Sequence, residues 1–235
     1  MTKFGPPRAR LFVALDVPSV ARAQTMVDQL GDDVVAYKVG LELMFAGGLS
    51  FATALKAGGK HVFLDMKLLD IPNSVEKAAA NIAALGLDYL TVHGTDRKTL
   101  DAAVKGRGSS TLKLLAVTVL TSLDEADLRE QGITSTTTSE LVVHRACLAK
   151  AAGFDGVIAS GQEAAAVRAA TGPDFLIVTP GIRLSDGADG DQARVLTPTK
   201  AVAAGASHLV VGRPITQATD PRAAARVIIE AIGQV

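Results

Sequence analysis

Two acids and a lysine fall within six residues in the stretch Phe63–Ser74, FLDMKLLDIPNS. Read with the two-residue period of a strand, Val62, Leu64 and Met66 point to one side, and Phe63, Asp65 and Lys67 to the other. If the apolar side packs outward, a carboxylate and an ammonium stand together on the inner face at the strand's carboxyl end. Asp70 follows where the strand ends. A buried charge costs several kcal/mol unless it is paired, so such a strand holds either a structural ion pair or a reacting site. Pro72 fixes the backbone, and Asn73 or Ser74 is expected to cap a helix that begins near Val75.

The elements that must position these groups are legible in the alternation of the chain. Short apolar runs and Ala-rich helical stretches follow one another from end to end, the pattern of βα units around a parallel sheet. Strands are expected near Leu11–Leu15, Val34–Lys38, His61–Asp65, Tyr89–His93, Lys113–Thr118, Gly156–Ala159, Phe175–Thr179 and His208–Gly212. Helices fall between them, among them Val20–Leu30, Val75–Leu85, Ser139–Ala152 and Pro221–Ile232. Eight such units in 235 residues, 48% of them hydrophobic, predict a single-domain α/β fold over residues 1–235, the (β/α)8 TIM barrel.

Active sites of such barrels lie at the carboxyl ends of the strands. There the chain places Asp16 after the first strand, Lys38 at the second, Asp65 and Lys67 at the third, His93 at the fourth, and Thr118 and Thr121 at the fifth. Asp16 is in phase with Phe12 and Ala14, and Lys38 with Val34 and Ala36, so both face the barrel axis on this reading. Taken singly, each is equally a solvated strand end. Lys38, Asp65, Lys67 and Asp70 would make an alternating array in which each charge offsets the desolvation of its neighbours. His93 reads as a supporting histidine bonded to a neighbour.

The last two strands carry an anion signal. Thr179–Val195 is a long polar loop containing Arg183 and Gln192, and Gly212-Arg213-Pro214 follows the eighth strand. Loops after strands 7 and 8, with the N-terminus of a short extra helix, hold phosphate in these barrels. Gly212 permits close approach, Arg213 offers a bidentate fork, and Pro214 starts a helical turn.

Lys plus Arg and Asp plus Glu are both 24, so no basic surplus points to nucleic acid. No apolar run approaches the roughly 18 residues of a membrane span, and MTKFGPPRAR lacks a signal core, so a cytoplasmic protein is expected. The single cysteine, Cys147, excludes an internal disulfide and reads as a small buried side chain in a helix. His61, His144 and His208 form no ligand spacing, so no metal is expected.

The run Asp65-x-Lys67-x-x-Asp70-Ile71-Pro72-Asn73-Ser74 resembles the signature of orotidine 5'-phosphate decarboxylases, which usually end it in Thr. Gly181-Ile182-Arg183 with Gly190-Asp191-Gln192 resembles that family's phosphate and pyrimidine loop, and Val211-Gly212-Arg213 its second phosphate clamp. Asp16 in LFVALD matches the ribose-binding acid, and Thr121 in VTVLTS the residue that meets the pyrimidine amide. His93-Gly94 stands where His-Ala is expected. The resemblance implies cofactor-independent decarboxylation of orotidine 5'-monophosphate to uridine 5'-monophosphate, with Lys38, Asp65, Lys67 and Asp70 catalytic. It adds Ile71 and Ser74 to the substrate-binding positions. It also implies a homodimer in which Asp70 reaches the neighbouring subunit's site. Two rivals stay open. One is a magnesium-dependent phosphosugar barrel of the keto-gulonate phosphate decarboxylase or hexulose phosphate synthase kind, which shares Asp65 and Lys67. The other is a non-catalytic nucleotide-binding barrel, which has no use for alternating charges.

Overall fold

The computed structural model describes residues 3–184 and 196–235. Eight parallel strands close into a barrel in chain order: β1 (Leu11–Ala14), β2 (Ala36–Gly40), β3 (His61–Leu68), β4 (Tyr89–His93), β5 (Lys113–Val117), β6 (Gly156–Ile158), β7 (Leu176–Thr179) and β8 (His208–Val211). β8 returns to pair with β1, Phe12 opposite Val210, and so leaves no open sheet edge. Helices cover the outside, as the alternation of the sequence predicts, and several start on side-chain caps. Ser19 accepts the Arg22 N–H at the start of Val20–Leu30, and Thr137 and Glu140 form a reciprocal box at the start of Thr138–Ala152.

The core has two parts. A large outer layer lies between sheet and helices and takes Leu11, Val13, Val62, Leu64, Leu90 and Val92. A smaller one fills the barrel, with Phe12, Ala14, Ala36, Phe63, Tyr89, Leu115, Leu176, Val178 and Val210. The Phe12 ring lies 5.4 Å from Phe63, 5.1 Å from Tyr89 and 5.6 Å from His208, centroid to centroid. Burial pushes the His208 imidazole down to about 3, so it serves here as a neutral ring. These rings form a dry floor. Two residues further along β1, β2 and β3, the same inward phase presents Asp16, Lys38 and Asp65.

Four local expectations need correction. β2 is Ala36–Gly40, and Val34 belongs to the outer layer, so Lys38 shares its phase with Ala36 alone. β3 continues past Asp65 to Leu68 because the β3–β4 register shifts between Leu64 and Leu68, which lets the strand resume pairing at Leu68 opposite Val92. The following helix is Pro72–Ala84, with Pro72 in its first turn and Ile71 as an N-cap that makes no side-chain bond, so neither Asn73 nor Ser74 caps it. Cys147 is exposed: Thr138–Ala152 buries Val142, Ala146 and Ala149, and the next position after Ala146 turns to the outer face.

Candidate active site

A cavity of about 1040 Å³ opens at the carboxyl end of the barrel, lined by Asp16, Lys38, Asp65, Lys67, Thr121, Arg183, Gly212 and Arg213 among others. Four of these make one chain of charge. Lys38 Nζ lies 2.9 Å from Asp16 Oδ1 and 3.3 Å from Asp65 Oδ2, and Lys67 Nζ lies 2.9 Å from Asp65 Oδ1. Within one subunit the alternating array is therefore Asp16–Lys38–Asp65–Lys67, and the expected Asp70 is not part of it. The chain turns outward after Leu68, and the exposed Asp70 carboxylate accepts the Ile71 N–H at 2.6 Å. Ile71 is exposed, and neither it nor Ser74 lines this cavity.

The charges sustain one another. Burial alone would lower the pKa of Lys38, but Asp65 and Asp16 outweigh it and hold the ammonium above its ordinary value. Burial would raise Asp65, yet Lys38, Lys67 and the Thr91 hydroxyl hold that carboxyl below the usual range. Both are ionised at neutral pH for the same reason, opposite charge at contact distance in a site poor in water. Gly40 makes room for this approach. A methyl group there would sit 2.7 Å from Asp16 Oδ1 and 2.8 Å from Lys38 Nζ.

Lys67 reaches the cavity through an unusual backbone. Its φ is +50°, the left-handed region that a side chain disfavours, and it is the non-glycine residue so placed among those described. Its N–H donates to Thr91 Oγ1 at 2.9 Å, and Thr91 Oγ1 in turn donates to Asp65 Oδ1 at 2.9 Å. Thr91 and Gly40 are site residues that the sequence reading missed: a threonine in a strand and a glycine after one have ordinary structural uses. Arg22, in the first turn of Val20–Leu30, also lines the cavity and was not foreseen.

On the opposite wall, the buried Arg183 donates to the Ile182 carbonyl at 3.0 Å. The Arg183 N–H donates to the Leu196 carbonyl at 3.0 Å, beside the bridge between Ile182 and Leu196. Gly190, Asp191 and Gln192 lie outside the described residues. Gly212 precedes the short helix Arg213–Thr216, whose Ile215 and Thr216 N–H groups both bond back to the Gly212 carbonyl. Any donors the turn offers an anion therefore come from Gly212 and Arg213, fewer than Pro214 and a free helix start suggest. Thr121 lines the cavity, whereas the buried Thr118 donates its hydroxyl to the Ile158 carbonyl.

His93 does not line the cavity. Burial first, then the charges of Lys67 and Arg145, lower its pKa, and among the described residues its ring has no hydrogen-bonded partner, contrary to expectation. Both charged neighbours are cations, which favour the neutral ring. Gly94 has a packing reason to lack a methyl group, which would lie 3.1 Å from the Val117 carbonyl oxygen. Among the described residues no group of three or more His, Cys, Asp and Glu side chains is arranged to hold a metal ion.

A family model described as orotidine 5'-phosphate decarboxylase / HUMPS family matches residues 9–228. The orotidine 5'-phosphate decarboxylase of Methylobacterium sp. (strain 4-46) is 53% identical over 237 residues, covering 100% of both chains. That of Bradyrhizobium sp. (strain ORS 278) is 53% identical over 223 residues, 95% of this chain and 91% of its own. The crystal structure of orotidine 5'-phosphate decarboxylase from Lactobacillus acidophilus superposes with a TM-score of 0.83 at 38% identity, covering 94% of this chain and 98% of that one.

The electrostatics predict a specific acid response. The folded pKa of Asp65 lies below its unfolded value of about 3.9, so its ionisation stabilises the native state above that pH, and the contribution fades as pH falls through the folded value. Lys38 is the mirror case, contributing fully below about pH 10.4 and losing that contribution as pH rises through its raised folded value. Asp65→Asn leaves two ammonium groups facing a neutral amide. It should cost about 3 kcal/mol in urea unfolding at pH 7, and the difference from wild type should shrink as pH drops below about 4. A difference that stays constant down to pH 3 would show that the native state does not hold the Asp65 carboxyl below its unfolded value.

Proposed function

The chain belongs to the orotidine 5'-phosphate decarboxylase / HUMPS family, and on that premise we propose that the array at the barrel mouth is the machinery for decarboxylating orotidine 5'-monophosphate, with no metal or organic cofactor. The product is uridine 5'-monophosphate, and the step is the last of UMP biosynthesis. The observation that carries this reading is the unbroken alternation Asp16–Lys38–Asp65–Lys67, whose three contacts run from 2.9 to 3.3 Å.

Decarboxylation breaks the bond between the ring carbon and the carboxylate, and the bonding pair stays on the ring carbon. Asp65 faces the substrate carboxylate, where mutual repulsion is relieved as carbon dioxide departs. Lys67 stabilises the pair left behind and gives it a proton, and solvent restores the ammonium. Lys38 holds Asp65 ionised and Asp16 in place to meet the ribose. Thr121 meets the pyrimidine amide, and Arg183, Gln192, Gly212 and Arg213 take the distal groups, the phosphate above all. Binding energy from the phosphate supports chemistry at a centre it does not touch.

Asp70 completes the site from a second subunit, the remaining part of the proposal. Its carboxylate is exposed and takes no part in its own subunit's array, and the apolar neighbours Leu69 and Ile71 are 56% and 67% exposed. Apolar side chains flanking an outward acid suit a surface that a second copy covers. Ile71 and Ser74 then contribute beside that shared edge. A homodimer in the cytoplasm is the form proposed, and no helix among the described residues is long and apolar enough to cross a membrane.

The direct test follows the ultraviolet absorbance of orotidine 5'-monophosphate with purified protein in excess chelator. Stoichiometric conversion to uridine 5'-monophosphate is expected at the same rate with and without chelator. No turnover, or turnover abolished by chelation, would reject the reading. The shared site has its own signature. Lys67→Ala and Asp70→Ala chains should each be nearly inactive, while denatured and refolded mixtures recover up to about a quarter of wild-type activity per chain, since half the dimers are mixed and each holds one intact site. Mixtures that contain heterodimers and stay inactive would place Asp70 outside the partner's site.

A further inference from the structure

We propose that Thr91 is a positioning residue for this decarboxylation: its hydroxyl, held between the Lys67 amide and the Asp65 carboxylate, fixes the bulge that aims Lys67 into the cavity. The inference rests on the functional reading above and adds to it a residue that touches no substrate.

The backbone states the problem that Thr91 solves. Regular β3–β4 pairing lapses between Leu64 and Leu68, and Lys67 within that gap has a φ of +50°. Its N–H is left without a strand partner, and a left-handed lysine persists only where its surroundings hold it. Thr91 Oγ1 accepts that N–H at 2.9 Å. A backbone N–H can only donate, so the hydroxyl proton must go elsewhere, and it goes to Asp65 Oδ1 at 2.9 Å. Lys67 Nζ approaches the same oxygen at 2.9 Å. The result is a closed ring in which both nitrogens of Lys67 converge on one carboxylate oxygen, one of them through Thr91.

Thr91 is fully buried and does not line the cavity, so it acts through Asp65 and Lys67. Its inward phase is the one shared by Tyr89 below, in the barrel floor. An apolar side chain of the same shape would fill that space equally well. The hydroxyl is the part that packing does not require.

Thr91→Val removes the hydroxyl and keeps the shape, and Thr91→Ser keeps the hydroxyl. The valine variant should lose about 100-fold in kcat, as a reacting group misplaced by about 1 Å does, with KM and affinity for uridine 5'-monophosphate within about threefold of wild type. The serine variant should recover most of kcat. Hydrogen exchange at the Lys67 amide reads the lock without substrate: protection should persist in wild type and the serine variant and vanish in the valine variant. If the valine variant does not fold, Thr91→Ala is judged by the same measures. A hydroxyl-free variant with wild-type kcat, or with a protected Lys67 amide, would overturn the proposal. Lack of turnover in the wild-type protein would instead overturn the functional reading, and the exchange measurement would still decide the role of Thr91.

Discussion

Asp65 carries a negative charge with its side chain only 13% exposed, and the rest of the site depends on keeping it charged there. Water cannot do so at that depth. Two lysines and a threonine hydroxyl do it instead, and each of those needs a partner of its own. Lys38, at 8% side-chain exposure, is held by Asp16 on its other side. The array is therefore a unit in which the two inner charges, Lys38 and Asp65, each have an opposite charge on both sides, so removing any one member weakens the compensation of its neighbours. Preorganised charge of this kind acts on a transition state without rearranging, because its cost was met during folding.

The barrel converts that local requirement into geometry. Closure of the sheet fixes neighbouring strands in register, with Lys38 opposite Phe63 and Gly40 opposite Asp65, so groups far apart in sequence meet at one level of the mouth. Below them, Phe12, Phe63, Tyr89 and the neutral His208 fill the interior and close the barrel beneath the charges. Gly40 shows how little slack remains, since its missing side chain is the space in which Asp16 and Lys38 touch.

What the sequence makes legible divides along physical lines. The strands, the two faces of β3 and the inward phase of Asp16, Lys38 and Asp65 all follow from a period of two, which survives in any regular strand. Lys67 also points inward as that period suggests, but by a bulge and a left-handed φ that alternation cannot foretell. Thr91 stayed hidden because a β-branched residue needs no special reason to be in a strand. Cys147 illustrates a different limit: in an Ala-rich helix the apolar positions do not single out one face, and only packing shows which way a residue turns. The role proposed for Asp70 rests on motif resemblance, since in its own chain the residue is exposed and stands outside the array.

The central claim is that the array acts on the reacting carbon through Lys67, and the kinetics of Lys67→Ala test it most directly when read beside its affinity for uridine 5'-monophosphate. The account predicts that kcat falls by at least about 10⁴-fold, the upper range for loss of a positioned proton donor, while product affinity stays within about tenfold of wild type. A folded Lys67→Ala protein that decarboxylates orotidine 5'-monophosphate within tenfold of the wild-type rate would contradict it.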